Sequence, residues 1–213
     1  MSGGEAVRGE ADGGPGDRRL DEALPAGSLG AMSVAAFLDA LAARTPAPGG
    51  GAVAATTLAT AAALGRMVLG YTLGRPRFAG HDALHRAGDE AFRAALPRLL
   101  ELADADARGY AQLDAALRGG LRERDPAAFA AAASGAVEPP LEMLRLGRSI
   151  LDALRAQSGT TNPSLESDRV IAERLASAGV EAARLNVEAN LSLLSETRAA
   201  ELLREIERIG PRT

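Results

Sequence analysis

Residues 82–118 read DALHRAGDEAFRAALPRLLELADADARGYAQLDAALR, and this stretch decides the fold class. Large apolar residues recur in it at roughly the spacing of one helix face. They are Leu84, Phe92, Leu96, Leu99, Leu102, Leu113 and Leu117. Pro97 lies inside the pattern, so we expect a kink or a short break there. The stretch predicts one long amphipathic helix.

The rest of the chain follows the same pattern. It predicts helices over residues 33–44, 51–73, 126–157 and 165–194, and a short one ending near residue 209. Ser33 suits a helix cap and Pro126 a first helical position. No window alternates with period two for long enough to predict a strand. We therefore predict an all-α protein, an antiparallel bundle of five to six helices in a single domain over residues 33–213.

Composition narrows the class of protein further. Hydrophobic residues make up 46% but aromatic residues only 3%, so the core is predicted to consist of small and aliphatic side chains. The net charge of −4 and the lack of aromatic platforms argue against nucleic-acid binding. The absence of cysteine excludes disulfides and thiolate metal sites. Residues 1–32 are polar and glycine-rich, which predicts a disordered tail.

The most membrane-like segment, residues 52–73, is interrupted by Arg66. A central arginine costs roughly 3 kcal/mol in a membrane span. We therefore interpret the segment as a buried helix, and we expect a cytoplasmic protein that does not bind membranes.

The stretch TPAPGGGAVAA, residues 45–55, places three glycines directly before a helix. Gly49, Gly50 and Gly51 are consistent with ordinary helix punctuation. As the alternative, they can expose backbone N–H groups to an anion, which the helix dipole favours. No Gly-Lys-Ser/Thr follows, so this is not a phosphate loop.

Two pairs of polar residues have a spacing of four residues within a predicted helix. Asp106 and Tyr110 share a helix face, and Asp104 points away from that face. A carboxylate buried there would act as an acid or base near neutral pH, whereas an exposed one would only solvate the helix. Asn186 and Asn190 lie in an apolar setting, which indicates either a buried polar network or a ligand surface.

Other polar residues have ready structural interpretations. Asn162, Ser167 and Asp168 cluster at a helix start, where Ser and Asp are also common caps. His81 and His85 have the spacing of two metal ligands, but no third partner is evident. We interpret both histidines as surface residues and predict no metal site.

Six segments occur in a characteristic order. They are FLDALAARTPAPGGGAVAA, MVLGYTLGRPRF, LADADARGYAQLDAAL, PPLEMLRLGRSIL, NPSLESDRVIAERL and VEAARLNVEANLSLL. Taken together, over roughly residues 33–194, they resemble the cyclodeaminase/cyclohydrolase family of folate enzymes. The PGGG element followed much later by SD and NVxxN is fairly specific as a set.

The resemblance implies a helical bundle that forms a homodimer and acts on a folate substrate without a further cofactor. Its two branches convert 5-formiminotetrahydrofolate to 5,10-methenyltetrahydrofolate and ammonia, or interconvert 5,10-methenyl- and 10-formyltetrahydrofolate. Both reactions pass through a tetrahedral carbon between N5 and N10. Asp106 and Asp168 are then the predicted acid/base residues, with Asp104 a weaker third.

The resemblance also implies a set of substrate contacts. Gly49, Gly50 and Gly51 would place backbone N–H groups against the folate, and Arg75 and Arg77 would bind its carboxylate tail. The remaining predicted contacts are Ala52, Tyr110, Asn162, Ser167, Asn186 and Asn190.

The sequence also departs from the family pattern. Relatives usually carry Ser where this chain has Ala52, and often Lys where it has Arg75 and Arg77. The segment GGLRERDPAAFAA looks short, and no formiminotransferase segment is present. We predict a cyclodeaminase. A cyclohydrolase and a helical dimer that has lost activity are the alternatives.

Overall fold

The computed structural model of the chain describes residues 27–209. Within this range it contains seven α-helices and no strand, which confirms the all-α prediction. The helices are α1 (Val34–Ala42), α2 (Gly50–Gly70), α3 (Asp82–Arg118), α4 (Leu121–Arg124), α5 (Pro126–Ala156), α6 (Glu166–Asn190) and α7 (Glu196–Ile209). The four-residue α4 lies between the helices predicted over residues 82–118 and 126–157, where no helix was predicted.

The four long helices form a ring in which each packs against two neighbours. Helix α2 lies between α3 and α6, and α5 closes the ring on the opposite side. Small residues allow this close approach. A Cβ on Gly147 of α5 or on Gly179 of α6 would lie within 2.8 Å of the Leu58 side chain. Leu58 is fully buried, so the two glycines make room for it in the centre of the bundle.

Helix α2 is the one helix of the described range with the length and apolar composition of a membrane span. Over half of its most apolar window is buried inside the bundle, against α3 and α6. Its Arg66 pairs with Asp89 of α3 at 2.9 Å. These contacts are those of the core helix of a bundle.

The prolines do not break the long helices. Helix α3 continues through Pro97 and α5 through Pro139 and Pro140, so the short break predicted at Pro97 is absent. Helix α5 begins as predicted at Pro126, where the Asp125 carboxylate accepts a hydrogen bond from the Ala128 N–H at 3.0 Å.

The predicted tail lies mostly outside the described residues, but its last part does not. Leu29–Ala31 forms a 3₁₀ turn, and Leu29 is 6% exposed. The Leu29 N–H donates a hydrogen bond to Asp104 Oδ1 at 2.7 Å. The packed domain therefore begins several residues before the predicted boundary.

Candidate active site

The glycine run enters α2 at one end of the bundle. The Ala47–Pro48 peptide is cis, Gly49 is extended, and Gly50 begins the helix. No side chain caps α2. The first N–H groups of a helix have no intrahelical partner, so this end of α2 offers backbone donors to a bound group.

Asp106 of α3 faces these glycines. A Cβ built on Gly51 would overlap the Asp106 carboxylate, so only glycine leaves room for this acid. Burial raises the pKa of Asp106 to about 6. Within residues 27–209, Asp106 has no hydrogen-bond or ion-pair partner that would stabilise its charge. The Asp106 carboxyl group can therefore both donate and accept a proton near neutral pH.

Helix α6 supplies two amides to the same place. Asn186 Nδ2 donates to the Ala182 carbonyl at 2.8 Å, and Asn190 Nδ2 donates to the Asn186 carbonyl at 3.0 Å. Both side-chain nitrogens are thereby held by the helix backbone. The amide oxygens remain as acceptors, and Asn186 Oδ1 lies 3.2 Å from the position of a Cβ on Gly50.

These groups line one cavity of about 200 Å³. Its walls come from the glycine loop, α3, α5 and α6. The lining residues are Pro46, Ala47, Gly49, Gly50, Gly51, Asp106, Ala107, Tyr110, Ala136, Asn186 and Asn190. Donors, acceptors and an exchangeable proton thus meet in one pocket, as acid/base chemistry on a small molecule requires.

Two other predicted residues of this region lie outside the cavity. Ala52 is 1% exposed and packs in the core. Asp104 is bonded to Leu29 and lines a neighbouring cavity of about 340 Å³ instead.

The remaining predicted residues lie at the far end of the bundle. Asp168, in the first turn of α6, precedes Asn186 by 18 residues, or about 27 Å along the helix. Ser167 is its neighbour, and Asn162 donates its N–H to Thr72 Oγ1 at the end of α2. Arg75 also lies there and donates to the Tyr71 carbonyl.

The same end contains Arg77, whose guanidinium stacks on Phe78 at 4.6 Å from the ring centroid. Within one chain, therefore, these residues and Asp106 do not share a cavity.

The surface interpretation of the histidines is wrong for His85, which is fully buried. Its Nε2 lies 3.1 Å from Thr160 Oγ1. No group of three His, Asp or Glu within residues 27–209 is placed to hold a metal ion.

Four cavity residues escaped sequence reasoning: Pro46, Ala47, Ala107 and Ala136. They carry no reactive group. Pro46 and Ala47 were detectable only as neighbours of the glycines. No signal in the sequence marks Ala107 or Ala136.

Fold and cavity together define a helical-bundle protein with a small cavity that contains a carboxyl group of raised pKa. Comparison with known proteins supplies the family. The family model described as Formiminotransferase-cyclodeaminase matches residues 33–208. The chain belongs to this family.

Individual relatives come from both branches. The chain is 34% identical over 177 residues to the formimidoyltransferase-cyclodeaminase of Rattus norvegicus, covering 81% of this chain and 33% of the rat protein. It therefore spans about a third of that relative's length. It is 31% identical over 186 residues to the methenyltetrahydrofolate cyclohydrolase of Methylorubrum extorquens, covering 84% of this chain and 88% of that protein.

A solved structure agrees with the fold. The crystal structure of formiminotetrahydrofolate cyclodeaminase from Thermotoga maritima superimposes with a TM-score of 0.77 and 25% sequence identity. The match covers 85% of this chain and 89% of that one.

Proposed function

We propose that the protein is a formiminotetrahydrofolate cyclodeaminase, which converts 5-formiminotetrahydrofolate to 5,10-methenyltetrahydrofolate and ammonia. The proposal rests mainly on Asp106. This carboxyl group has no partner among residues 27–209, and burial raises its pKa to about 6. It lies between the N-terminus of α2 and the two amides of α6.

The reaction needs an acid at the formimino nitrogen. N10 attacks the formimino carbon and loses its proton, giving a tetrahedral carbon between N5 and N10. The C–N bond to the amino group then breaks, and the nitrogen leaves as ammonia after protonation. A carboxyl group with a pKa near 6 can donate that proton at neutral pH and take one back.

The other walls suit recognition of the folate. Asn186 and Asn190 offer amide oxygens to N–H groups of the pterin edge. The glycine loop lets a flat ring lie close to the backbone, and Tyr110 offers a hydroxyl group at the rim. These contacts would orient N5 and N10 toward Asp106.

A methenyltetrahydrofolate cyclohydrolase is the second candidate. The cyclohydrolase of Methylorubrum extorquens supports it, because the match covers 88% of that protein. In that reaction water attacks the methenyl carbon, one proton is lost and the C–N5 bond breaks. The same carboxyl group would serve as the base.

We further propose that the protein is a cytoplasmic homodimer. Five apolar residues form a straight exposed or half-exposed line along α6, here called the α6 stripe: Ile171, Leu175, Ala178, Leu185 and Ala189. Ile171 is 50% exposed and Leu185 is 54% exposed. An apolar line of this length favours contact with another protein surface.

A two-fold axis perpendicular to α6 near Ala178 would pair the α6 stripe with its own copy. The two α6 helices would then be antiparallel. Asp168 of each copy would come to the end where the other copy has Asn186. Such a dimer would reunite the two separated sets of predicted site residues.

The direct test gives purified protein 5-formiminotetrahydrofolate and, separately, 5,10-methenyltetrahydrofolate, and follows the methenyl chromophore. Appearance of the chromophore from the first substrate supports the cyclodeaminase. Accelerated loss from the second, with none formed from the first, supports the cyclohydrolase. No change in either, together with no folate binding by calorimetry, would leave the inactive helical dimer.

A further inference from the structure

The cavity that contains Asp106 is too small for a whole folate. Its volume of about 200 Å³ lies below the range of roughly 300–1,000 Å³ typical for ligands of that size. The pocket therefore suits the reacting ring system, and the rest of the substrate must extend beyond it.

The neighbouring cavity offers the needed space. It has a volume of about 340 Å³ and shares Ala107 with the first cavity. Pro48 of the glycine loop, Asp104 and Arg108 are among its other lining residues. The two cavities therefore adjoin at Ala107, so a long ligand bound in the first would have its far end near the second.

Arg108 is the group in the second cavity that points to a ligand. It is exposed, and within residues 27–209 no carboxylate lies within ion-pair distance of it. Many other arginines of the bundle are paired, for example Arg98 with Glu142 at 2.6 Å. The guanidinium of Arg108 therefore keeps its donors available for a carboxylate.

Asp104 is the opposing charge in this cavity. Its Oδ1 accepts the Leu29 N–H at 2.7 Å, which holds the N-terminal 3₁₀ turn against α3 and closes one side of the cavity. The Asp104 carboxylate is thus partly satisfied by the backbone, while Arg108 is not satisfied.

We propose that the second cavity binds the carboxylate-bearing aminobenzoylglutamate end of the substrate, with Arg108 as the carboxylate-binding residue. This inference rests on the proposed folate reaction at Asp106. It assigns to Arg108 the role that the sequence resemblance implied for Arg75 and Arg77.

The kinetic test compares Arg108→Gln with Arg93→Gln. Arg93 is an exposed arginine of the same helix that lines neither cavity, so both variants lose the same charge. For 5-formiminotetrahydropteroylglutamate, Arg108→Gln is expected to raise KM about tenfold with kcat nearly unchanged, the size of one charge-assisted hydrogen bond. For the analogue in which an uncharged primary amide replaces the glutamate, so that no carboxylate remains, the variant and wild type are expected to have equal KM. Equal KM values of the two variants for the glutamate substrate would overturn the proposal.

A binding measurement separates this inference from the proposed reaction. The probe is p-aminobenzoylglutamate, which cannot be turned over, and its binding is followed by NMR titration of wild type and both variants. Binding that Arg108→Gln alone weakens supports the subsite even when neither folate substrate reacts. Binding that is absent in wild type, or equal in all three proteins, overturns it.

Discussion

Gly51 of α2 and Asp106 of α3 approach so closely that a Cβ on Gly51 would occupy the space of the Asp106 carboxylate. The glycine at this position of α2 therefore makes the acid in the cavity sterically possible. Any other residue at position 51 must displace Asp106, the α2 end, or both.

The variant Gly51→Ala is accordingly expected to lose most of its turnover. Because Asp106 would have to rotate out of the cavity, we expect kcat to fall by 100-fold or more, which is typical for the loss of a positioned acid. The measurement is the rate of methenyl chromophore formation with a protein whose circular dichroism spectrum is native.

Gly70 of the same helix is the matched control. A Cβ there meets no atom within 4 Å. Gly70→Ala should retain wild-type kcat. Retention of full activity by Gly51→Ala would contradict the assignment of Asp106.

The raised pKa of Asp106 means that burying this carboxyl group costs stability when it is ionised. Burial shifts the pKa from 3.8 to about 6, so the folded protein binds the proton more tightly than the unfolded chain. Stability is therefore lost as the pH rises from about 4 to about 6, by about 1–3 kcal/mol. Asp106→Asn should remove this loss and be more stable than wild type at pH 8, as urea unfolding at several pH values would measure.

Asp39→Asn provides the comparison, since Asp39 is an exposed carboxylate of α1. It should leave the pH dependence as in wild type. The same Asp106→Asn protein should lose turnover, and wild-type activity that depends on the acid form should decline above pH 6. An Asp106→Asn protein with neither effect would remove Asp106 from the mechanism.

At the other end of α3, His85 predicts a pH dependence of stability with the opposite sign. Thr160 Oγ1 donates to the Gln157 carbonyl and so accepts from His85 Nε2, which leaves the buried Nδ1 without a partner among residues 27–209. Burial, with help from His81, lowers the pKa of His85, while Asp82 opposes the shift. A second proton on this ring would have no acceptor.

The unfolded chain therefore binds the proton more readily than the folded protein, and stability falls as the pH drops below about 6.5. His85→Gln keeps a donor toward Thr160 but does not titrate, so its unfolding free energy should lack this decline. Thermal unfolding between pH 5 and pH 8 measures the difference. His81→Gln, at an exposed position, is the control and should retain most of the decline in stability at low pH. If stability falls equally with pH in wild type and His85→Gln, His85 is not the group responsible.

Local sequence signals account for most of the fold. Ser33 accepts the Ala36 N–H at 3.2 Å and caps α1, as its position predicted. The apolar period of residues 82–118 matches α3 at both ends. These features depend on neighbours within one helical turn, which sequence reasoning can see.

The candidate site was harder to predict from the sequence, because its geometry depends on elements that are distant along the chain. Asp106 and Tyr110 were paired by spacing, but their meeting with Asn186 required the packing of α3 and α6 against α2. The helix predicted over residues 165–194 already separated Asp168 from Asn186 by 18 residues, but which of the two lies beside Asp106 depended on that packing. The burial of His85 depends likewise on Gln157 and Thr160 of a distant turn.

The proposed dimer predicts that charge on the α6 stripe separates the copies. Leu185→Arg should give a monomer by light scattering, because an arginine in an apolar contact would lose its hydration. Leu203, an equally apolar residue that is 44% exposed on α7, is the control, and Leu203→Arg should stay dimeric. A wild-type protein that is already monomeric, or a dimeric Leu185→Arg, would contradict the proposed interface.

The separation of Asp106 from Asp168 allows a sharper test of the same dimer. If both residues act on one substrate, the two must come from different copies, since about 27 Å of α6 lies between Asp168 and the cavity residue Asn186. Asp106→Asn and Asp168→Asn should each be inactive alone. A mixed dimer of the two has one site with both changes and one site with neither, so co-expression should restore about a quarter of wild-type turnover when the copies pair at random. Tandem affinity tags on the two variants isolate the mixed dimer, whose activity should be half that of wild type.

The isolated mixed dimer also gives the outcome that would contradict this pairing. If it shows no recovery, both acids act within one chain or the two copies do not pair in this way. Full activity of Asp168→Asn alone would remove Asp168 from the chemistry.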